Sequence, residues 1–283
     1  MAREHTLFVL AQDLPWEAGL YSGARPEVES KLLSIDEDAG GDATLVVRYP
    51  PGWRRDAPEH LTAHEEFLVL EGALEINGRT YTAHHYGFLP AGYVRNSASA
   101  TDGATVLTMF YAAPQVVAGE PETPHDPALL VEHVNPMTLE WDPGLVDPQL
   151  SAGVAIKPLR TDPYTLETSF LYMSPPHRIP PGMAKPQWTH SMVEELFCLA
   201  GTYVWGDCGR MGPGGYAWWR EGVYHGPAGT DVGYLLFVRT VNGPLDNIFA
   251  TEKKPFRWDP PFAPQIPERL RPFARPYAER PLA

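Results

Sequence analysis

Two histidines and one glutamate have side chains and spacing suited to holding a metal ion. His190 stands four residues before Glu194, which opens an apolar run ending at Gly201, and His225 closes the segment 222–225. Imidazole and carboxylate groups are common ligands of divalent metals, and two histidines with one carboxylate form the facial triad of non-haem iron oxygenases. The pattern predicts a site for one divalent metal ion.

A β-strand that begins near Glu194 would give this carboxylate a defined direction. Successive side chains of a strand point to opposite faces, so if Glu194 faces a barrel interior, Leu196 and Cys198 face it too, while Glu195 faces away. A carboxylate buried among apolar side chains needs a partner. A metal ion held together with the two histidines would supply that partner.

The charge of the chain argues against several classes of partner, and its cysteine content bears on where the protein is found. The formal net charge is −13 over 283 residues and the pI is about 5.2, which argues against nucleic acids and anionic membranes. No apolar run is long enough for a membrane-spanning helix. The N-terminal residues make a poor signal peptide and the chain has only two cysteines, so we expect a cytoplasmic protein. The expected partner is a small-molecule substrate.

Proline content and turn signals favour an all-β chain. The sequence contains 31 prolines, helix-period stretches are few, and short strand-like segments are separated by turns such as Asn77-Gly78, a strong hairpin signal. One pattern also occurs twice. The segment 65–72 aligns with 194–201, and Arg95 aligns with His225, at an offset of about 129 residues. This internal repeat predicts two similar domains.

These motifs resemble those of the cupin superfamily. The outline of its first motif is G-x5-H-x-H-x3/4-E-x6-G, and His190-x3-Glu194-x6-Gly201 matches the second half. The second motif, G-x5-P-x-G-x2-H-x3-N, is matched more loosely by the segment from Gly215 to His225. Trp188 stands where the first motif has its first histidine, so three of the usual four ligands are present.

Taken over both repeats, the chain is most similar to the ChrR-type cupins, which include anti-sigma factor domains and acetylacetone-cleaving dioxygenases. The resemblance implies an all-β fold with two double-stranded β-helix, or jelly-roll, barrels in one chain. The predicted segments are an N-terminal arm (1–27), a first cupin domain (28–113), an ordered proline-rich connector (114–150), a second cupin domain with the metal site (151–243) and a wrapping tail (244–283).

The first repeat departs further from the cupin motifs. His60-x4-Glu65-x6-Gly72 fits the longer spacing, but Pro58 replaces the other histidine and Arg95 replaces the last one. A guanidinium is permanently charged and is not a metal ligand. We therefore expect a degenerate site in which Arg95 forms a buried ion pair with Glu65, or alternatively binds a carboxylate ligand.

The leading functional hypothesis is a metal-dependent dioxygenase that acts on a small oxygenated compound, diketone-like or hydroxyaromatic. One divalent metal ion per chain is expected, with Fe(II) favoured over Zn, Mn and Ni, and a homodimer is expected. The predicted substrate-binding residues are Trp188, Cys198, Trp205 and Tyr224. No acid–base residue is assigned. Two alternatives stay open: a non-redox isomerase, lyase or hydrolase using the same metal site, and a ligand-binding or regulatory cupin without catalysis.

Overall fold

The computed structural model describes residues 3–38, 40–147, 149–150, 153–206 and 208–281. It divides into two compact units. One unit contains Leu14–Thr138 together with Arg3, and the other contains Glu4–Asp13 and the chain from Leu139 onward. The predicted arm is therefore shared by the two units. Residues 1, 151 and 283, which bound three of the predicted segments, lie outside the described residues.

Strands make up nearly all of the regular structure. In chain order they are β1 (Thr6–Leu10), β2 (Glu17–Ala18), β3 (Glu29–Asp36), β4 (Asp42–Tyr49), β5 (Trp53–Arg55), β6 (Glu59–Leu61), β7 (Glu65–Gly72), β8 (Leu74–Ile76), β9 (Arg79–Tyr81), β10 (Tyr86–Leu89), β11 (Ala98–Ala100), β12 (Ala104–Phe110), β13 (Val116–Ala118), β14 (Val131–Val134), β15 (Ala155–Thr161), β16 (Thr168–Ser174), β17 (Ala184–Thr189), β18 (Val193–Gly201), β19 (Tyr203–Trp205), β20 (Gly209–Met211), β21 (Gly215–Trp219), β22 (Ala228–Gly229), β23 (Tyr234–Val241) and β24 (Ile248–Pro255). Short 3-10 helices occupy Ala11–Asp13, Pro136–Thr138, Pro143–Leu145 and Glu268–Phe273.

The first unit is built from two main antiparallel sheets. One has seven strands in the order β14-β10-β7-β12-β4-β3-β2, and the other has four in the order β5-β11-β8-β9. Its apolar core takes alternate residues from both sheets, such as Val69 and Val106 from the first and Ile76 and Ala98 from the second. Because a strand exposes alternate residues to each face, this interdigitation places the core between the sheets.

The second unit repeats this plan. A six-stranded sheet has the order β1-β21-β18-β23-β16-β15, and a three-stranded sheet has the order β20-β19-β22. Leu196, Ala217 and Leu236 of the larger sheet pack in one core cluster with Tyr203 and Trp205 of the smaller sheet. The predicted fold, all-β with two jelly-roll barrels in one chain, is confirmed.

Segments outside the two predicted barrel domains also pair with the sheets. Strand β1 lies at the edge of the six-stranded sheet, paired with β21, and β14 of the proline-rich connector pairs with β10. Strand β24 of the C-terminal segment pairs with β17, and Phe256 behind it is buried against Ile179 and Val204. Among the described residues, no helix is long and apolar enough to cross a membrane.

The motif glycines that end β7 and β18 have a left-handed backbone and closely approach the neighbouring chain. Gly72 has φ of 73° and Gly201 has φ of 72°. A Cβ atom at Gly72 would overlap the carbonyl oxygen of Gly103, and one at Gly201 would overlap that of Gly233. The motif therefore requires glycine for two separate reasons, the backbone angle and the lack of space.

Replacing Gly72 with alanine is expected to lower the free energy of unfolding by about 2–3 kcal/mol, because it adds steric overlap to backbone strain. Gly78 is the matched control, since its φ is 75° and nothing lies within 4 Å of a Cβ built there. Gly78→Ala should lower the free energy of unfolding by only about 1–2 kcal/mol, because backbone strain is then the only cause. Urea denaturation measures the free energy of unfolding of both variants. Equal losses of stability would show that the chain near Gly103 moves away from the added methyl group at no cost.

Candidate metal centre

Three side chains from different elements of the second unit meet at one point. His190 follows β17, Glu194 lies on β18, and His225 lies in the loop between β21 and β22. The Nε2 atoms of the two histidines are 3.1 Å apart, and the Glu194 Oε2 atom lies 3.4 Å from Nε2 of His190 and 3.7 Å from Nε2 of His225. Among the described residues, one group of three or more side chains could bind a metal ion together, and it consists of His190, Glu194 and His225.

Backbone carbonyl groups fix the orientation of both imidazole rings. Nδ1 of His190 donates to the carbonyl oxygen of Asp246, and Nδ1 of His225 donates to that of Val223 at 3.0 Å. Because a carbonyl oxygen only accepts, Nδ1 carries the proton in each ring, and a neutral ring then presents a lone pair at Nε2. Such an outer hydrogen bond is typical of metal-binding histidines.

The three groups shift one another's pKa values. Burial alone would lower the pKa of His190, but the adjacent Glu194 carboxylate raises it overall. Burial alone would raise the pKa of Glu194, but the charge and hydrogen bond of His190 lower it overall. Burial lowers the pKa of His225 to about 4, with the Glu194 charge only partly opposing. Glu194 is therefore ionised and His225 is neutral near pH 7.

Two lone pairs and a carboxylate oxygen thus converge on one point, where a proton or a cation must separate them. Two neutral imidazoles and one carboxylate are a donor set for Fe(II), Mn(II), Ni(II) or Zn(II). The residues present therefore fit one divalent metal ion, which the side chains of His190, Glu194 and His225 would hold.

Metal affinity is expected to fall as the pH falls through the raised pKa of His190. Below that pKa, His190 must release a proton before it can bind, so affinity should drop about tenfold per pH unit while close to one proton is released per ion. His225 is already neutral above about pH 5, so it adds no proton release and no pH dependence there. Competition titrations with Zn2+ from pH 5 to 8 would show this slope, and an affinity independent of pH would contradict the assignment of His190.

Aromatic rings enclose His225. Its ring stacks on Trp219 with centroids 4.5 Å apart and planes 8° apart, and the ring centroids of Trp205 and Trp188 lie 5.6 and 5.4 Å away. The backbones of Trp188 and His225 also exchange two hydrogen bonds, of 3.0 and 2.9 Å. Trp188, at the position of the first motif histidine, thus forms part of the wall of the site.

A cavity inside the second unit leads to Glu194. It measures about 50 Å3, so it suits a small ligand. Its lining is mostly apolar and combines Glu194 with the following side chains: Val146, Asp147, Leu150, Ile156, Phe170, Tyr172, Trp188, Trp205, Tyr234, Leu236, Val238, Leu245 and Asn247.

The four predicted substrate-binding residues are separated in the structure. Trp188 and Trp205 line the cavity beside Glu194. Cys198 is fully buried in the core cluster, its thiol donates to the carbonyl oxygen of Ala200, and burial raises its pKa. Tyr224 is 49% exposed and lines a different cavity, which His225 and Trp205 also border.

Sequence reasoning missed two tyrosines of the cavity wall. Tyr172 and Tyr234 lie on β16 and β23, which pair with each other, and both side chains face Glu194's cavity. Strand alternation could have indicated them, because alternate residues of a strand face the same side. The residues concerned are Phe170 and Tyr172 on β16, and Tyr234, Leu236 and Val238 on β23.

In the first unit, an ion pair occupies the position that corresponds to the metal centre. Arg95 donates to the Glu65 carboxylate, and both side chains are buried, as predicted. A second buried pair, Arg25 with Glu59 at 2.7 Å, lies in the same unit. His60 contacts the carbonyl oxygen of Gly119 through Nδ1 at 3.0 Å.

Comparisons with known proteins show a family resemblance in part of the chain and support the fold. Residues 4–114 match the family model of the ChrR Cupin-like domain, so the predicted resemblance to ChrR-type cupins is confirmed. A search of curated proteins gives no match.

Several solved structures share the fold at low sequence identity. A candidate dioxygenase from Nostoc punctiforme PCC 73102 is similar with a TM-score of 0.72 and 21% identity over 90% of this chain and 91% of that chain. Oxalate decarboxylase from Bacillus subtilis has a TM-score of 0.54 and 10% identity over 87% and 78%. The 7S globulin of Momordica charantia has a TM-score of 0.53 and 9% identity over 86% of each chain.

Proposed function

We propose that the chain is a non-haem Fe(II) dioxygenase that acts on a small oxygenated compound, diketone-like or hydroxyaromatic, in its second barrel. The observation that carries the proposal is the donor set itself, two imidazole Nε2 atoms and one carboxylate oxygen, of which the Glu194 carboxylate also lines a mostly apolar cavity. A three-residue set leaves coordination positions open for ligands that are not part of the protein. The structural likeness to the Nostoc punctiforme protein supports the same reaction class.

The side chains of this chain would do the binding and positioning. His190 and His225 are held by the carbonyls of Asp246 and Val223, so their Nε2 lone pairs are directed before any ion arrives. When bound, iron(II) supplies the Lewis acidity and the redox chemistry with O2 that protein side chains lack. Trp188 and Trp205 keep the adjoining space apolar and exclude water from the reaction.

Oxygen dependence is the direct test of the proposed function. Iron-loaded protein is mixed with a panel of diketones and hydroxylated aromatics while dissolved O2 and substrate are both followed. We expect O2 to be consumed together with one substrate of the panel, and the His225→Ala variant to give only the background rate. Turnover that continues unchanged without O2 would refute the dioxygenase and favour the non-redox lyase, isomerase or hydrolase.

A further inference from the structure

The N-terminal arm and the C-terminal segment close a second cavity of the second unit. It measures about 250 Å3, against about 50 Å3 for the cavity beside the metal centre. His5 and Leu7 of the arm line it. Lys254 and Gln265 of the C-terminal segment line it as well. The backbones of Leu7 and Gln265 exchange two hydrogen bonds, which hold the two segments together at this cavity, called the arm–tail cavity below.

Two tryptophans that line the arm–tail cavity carry buried hydrogen-bond donors. Trp205 is 5% exposed and Trp219 is 1% exposed, and neither Nε1 atom has an acceptor among the described residues. An indole N–H group can only donate, and a buried donor without an acceptor is costly. Both ring nitrogens of His5 are also buried and lack a partner within the described part of the chain. The walls of this cavity therefore need an acceptor, which a bound ligand can supply.

The charge of the lining favours an anion. None of the described residues that line the cavity is an aspartate or a glutamate, although the chain contains 35 acidic residues. Three of the five lysines of the chain lie on β17 and β24, and Lys254 of the cavity lies directly opposite Lys185. Like charges directly opposite each other destabilise a pair of strands. A negative charge bound beside Lys254 would relieve this repulsion.

The remaining lining supplies a flat apolar surface. The Trp205 and Trp219 rings are stacked, with centroids 4.7 Å apart and planes 17° apart. Leu7, Val223 and Tyr224 extend the apolar part of the lining. Aromatic walls suit a planar ring. An engineered apolar cavity of about 150 Å3 holds benzene, so about 250 Å3 is enough for an aromatic ring together with a carboxylate group.

We infer that the arm–tail cavity is a binding site for a small, singly charged carboxylate with a flat apolar body, separate from the metal centre. The carboxylate oxygens would accept hydrogen bonds from the N–H groups of Trp205 and Trp219 and lie near the Lys254 ammonium group. The ring would pack against the apolar lining. One lysine in the lining balances one negative charge.

His225 borders the arm–tail cavity, but both of its ring nitrogens are engaged elsewhere. Nδ1 donates to the carbonyl oxygen of Val223, and Nε2 lies 3.1 Å from Nε2 of His190. Trp205 is the one described residue that lines both this cavity and the cavity beside the metal centre. The carboxylate site therefore requires no metal ion, and it holds whether or not the proposed function does.

A matched pair of probes tests the charge selection. Benzoate and benzamide have the same shape, but benzoate carries a negative charge at pH 7. Wild-type protein is titrated with each probe by calorimetry. We expect benzoate to bind at one site per chain and benzamide to bind at least about 10-fold more weakly, because charge-assisted hydrogen bonds are roughly twice as strong as neutral ones. No binding of benzoate at millimolar concentration, or equal affinities for the two probes, would overturn the inference.

Two neighbouring lysines provide a variant and its control. Lys254 lines the cavity, whereas Lys253 lies next to it on the same strand and faces the other way. Both side chains are exposed. Lys254→Met should weaken benzoate binding about 3- to 5-fold, the contribution of one ion pair at an exposed position. Lys253→Met should leave it unchanged, and equal effects of the two substitutions would contradict the assignment of Lys254.

Adjacent tryptophans of β21 provide a second matched pair. Trp219→Phe removes one indole N–H group and should weaken benzoate binding about 10-fold, the contribution of a hydrogen bond to a charged group. Trp218→Phe is the control, because Trp218 is also buried but lies outside the lining of the cavity. Circular dichroism confirms that each variant is folded. Wild-type affinity in folded Trp219→Phe would overturn the assignment of its N–H group.

The His190→Ala variant separates this site from the metal centre. It removes no contact of the carboxylate site, so we expect it to bind benzoate with wild-type affinity even when it retains no metal. Loss of benzoate binding in this variant, with binding unchanged in Lys254→Met, would place the carboxylate on the metal ion and overturn the inference. Full metal content in the same variant would count against the proposed function alone.

Discussion

Replacing His225 with alanine is expected to lower the affinity of the protein for divalent metal by more than about 100-fold, which exceeds the contribution of outer hydrogen-bond partners. The variant keeps one imidazole and one carboxylate, too few ligands to hold an ion against dialysis. His225 Nε2 faces both other groups, at 3.1 Å from His190 Nε2 and 3.7 Å from Glu194 Oε2. Metal content after dialysis, normalised per chain, measures the effect.

A buried histidine elsewhere in the chain supplies the control for this experiment. His60 is buried and its Nδ1 also contacts a backbone carbonyl, that of Gly119, but it belongs to the first unit. His60→Ala should keep the full metal content. Because His225 stacks on Trp219, its removal also costs packing, so His190→Ala serves as a second variant and circular dichroism confirms that each is folded. Full metal content in both His190→Ala and His225→Ala would contradict the assignment.

Removing Arg95 is expected to give the largest loss of stability. Arg95→Met should lower the free energy of unfolding by about 3–5 kcal/mol, because the Glu65 carboxylate would stay buried without its partner. Both side chains are nearly inaccessible, at 3% and 7% exposure, so water cannot replace the guanidinium. Chemical denaturation of the variant and the wild type measures the difference.

The double variant Arg95→Met/Glu65→Leu separates the value of the ion pair from the cost of an isolated charge. Replacing both partners of a buried pair with apolar residues of similar size is often close to neutral. We therefore expect the double variant to recover most of the stability that Arg95→Met loses. If the double variant is as unstable as the single one, the packing of Arg95, and not the unpaired Glu65 charge, accounts for the loss.

The clustering of His190, Glu194 and His225 could be predicted from the sequence because these residues sit in motifs with fixed spacing. His190 and Glu194 flank the start of one strand, and the repeat aligns His225 with Arg95. The Arg95–Glu65 ion pair could be predicted from the same alignment. Arg95 aligns with His225 and Glu65 aligns with Glu194, so a guanidinium and a carboxylate are expected side by side and can neutralise each other.

The cavity around the centre was harder to predict, because strand alternation says which residues share a face but not which strands pair. Tyr172 and Tyr234 are brought together by the pairing of β16 with β23, a contact between residues far apart in the chain. Tyr224 adjoins His225 in sequence, yet it lies in a loop, where alternation does not apply, and it is about half exposed. The Asp246 carbonyl that orients His190 is a backbone group and leaves no sequence signal.

The most direct test of the metal centre is elemental analysis of the wild-type protein, purified without added metal or chelator. We expect about one divalent metal ion per chain, iron for the proposed dioxygenase, and its loss in His190→Ala. About two ions per chain would contradict the assignment of Arg95 and Glu65 as an ion pair in place of a metal. Folded protein that contains no metal in any preparation, and takes up none on titration, would show that His190, Glu194 and His225 do not bind a metal ion.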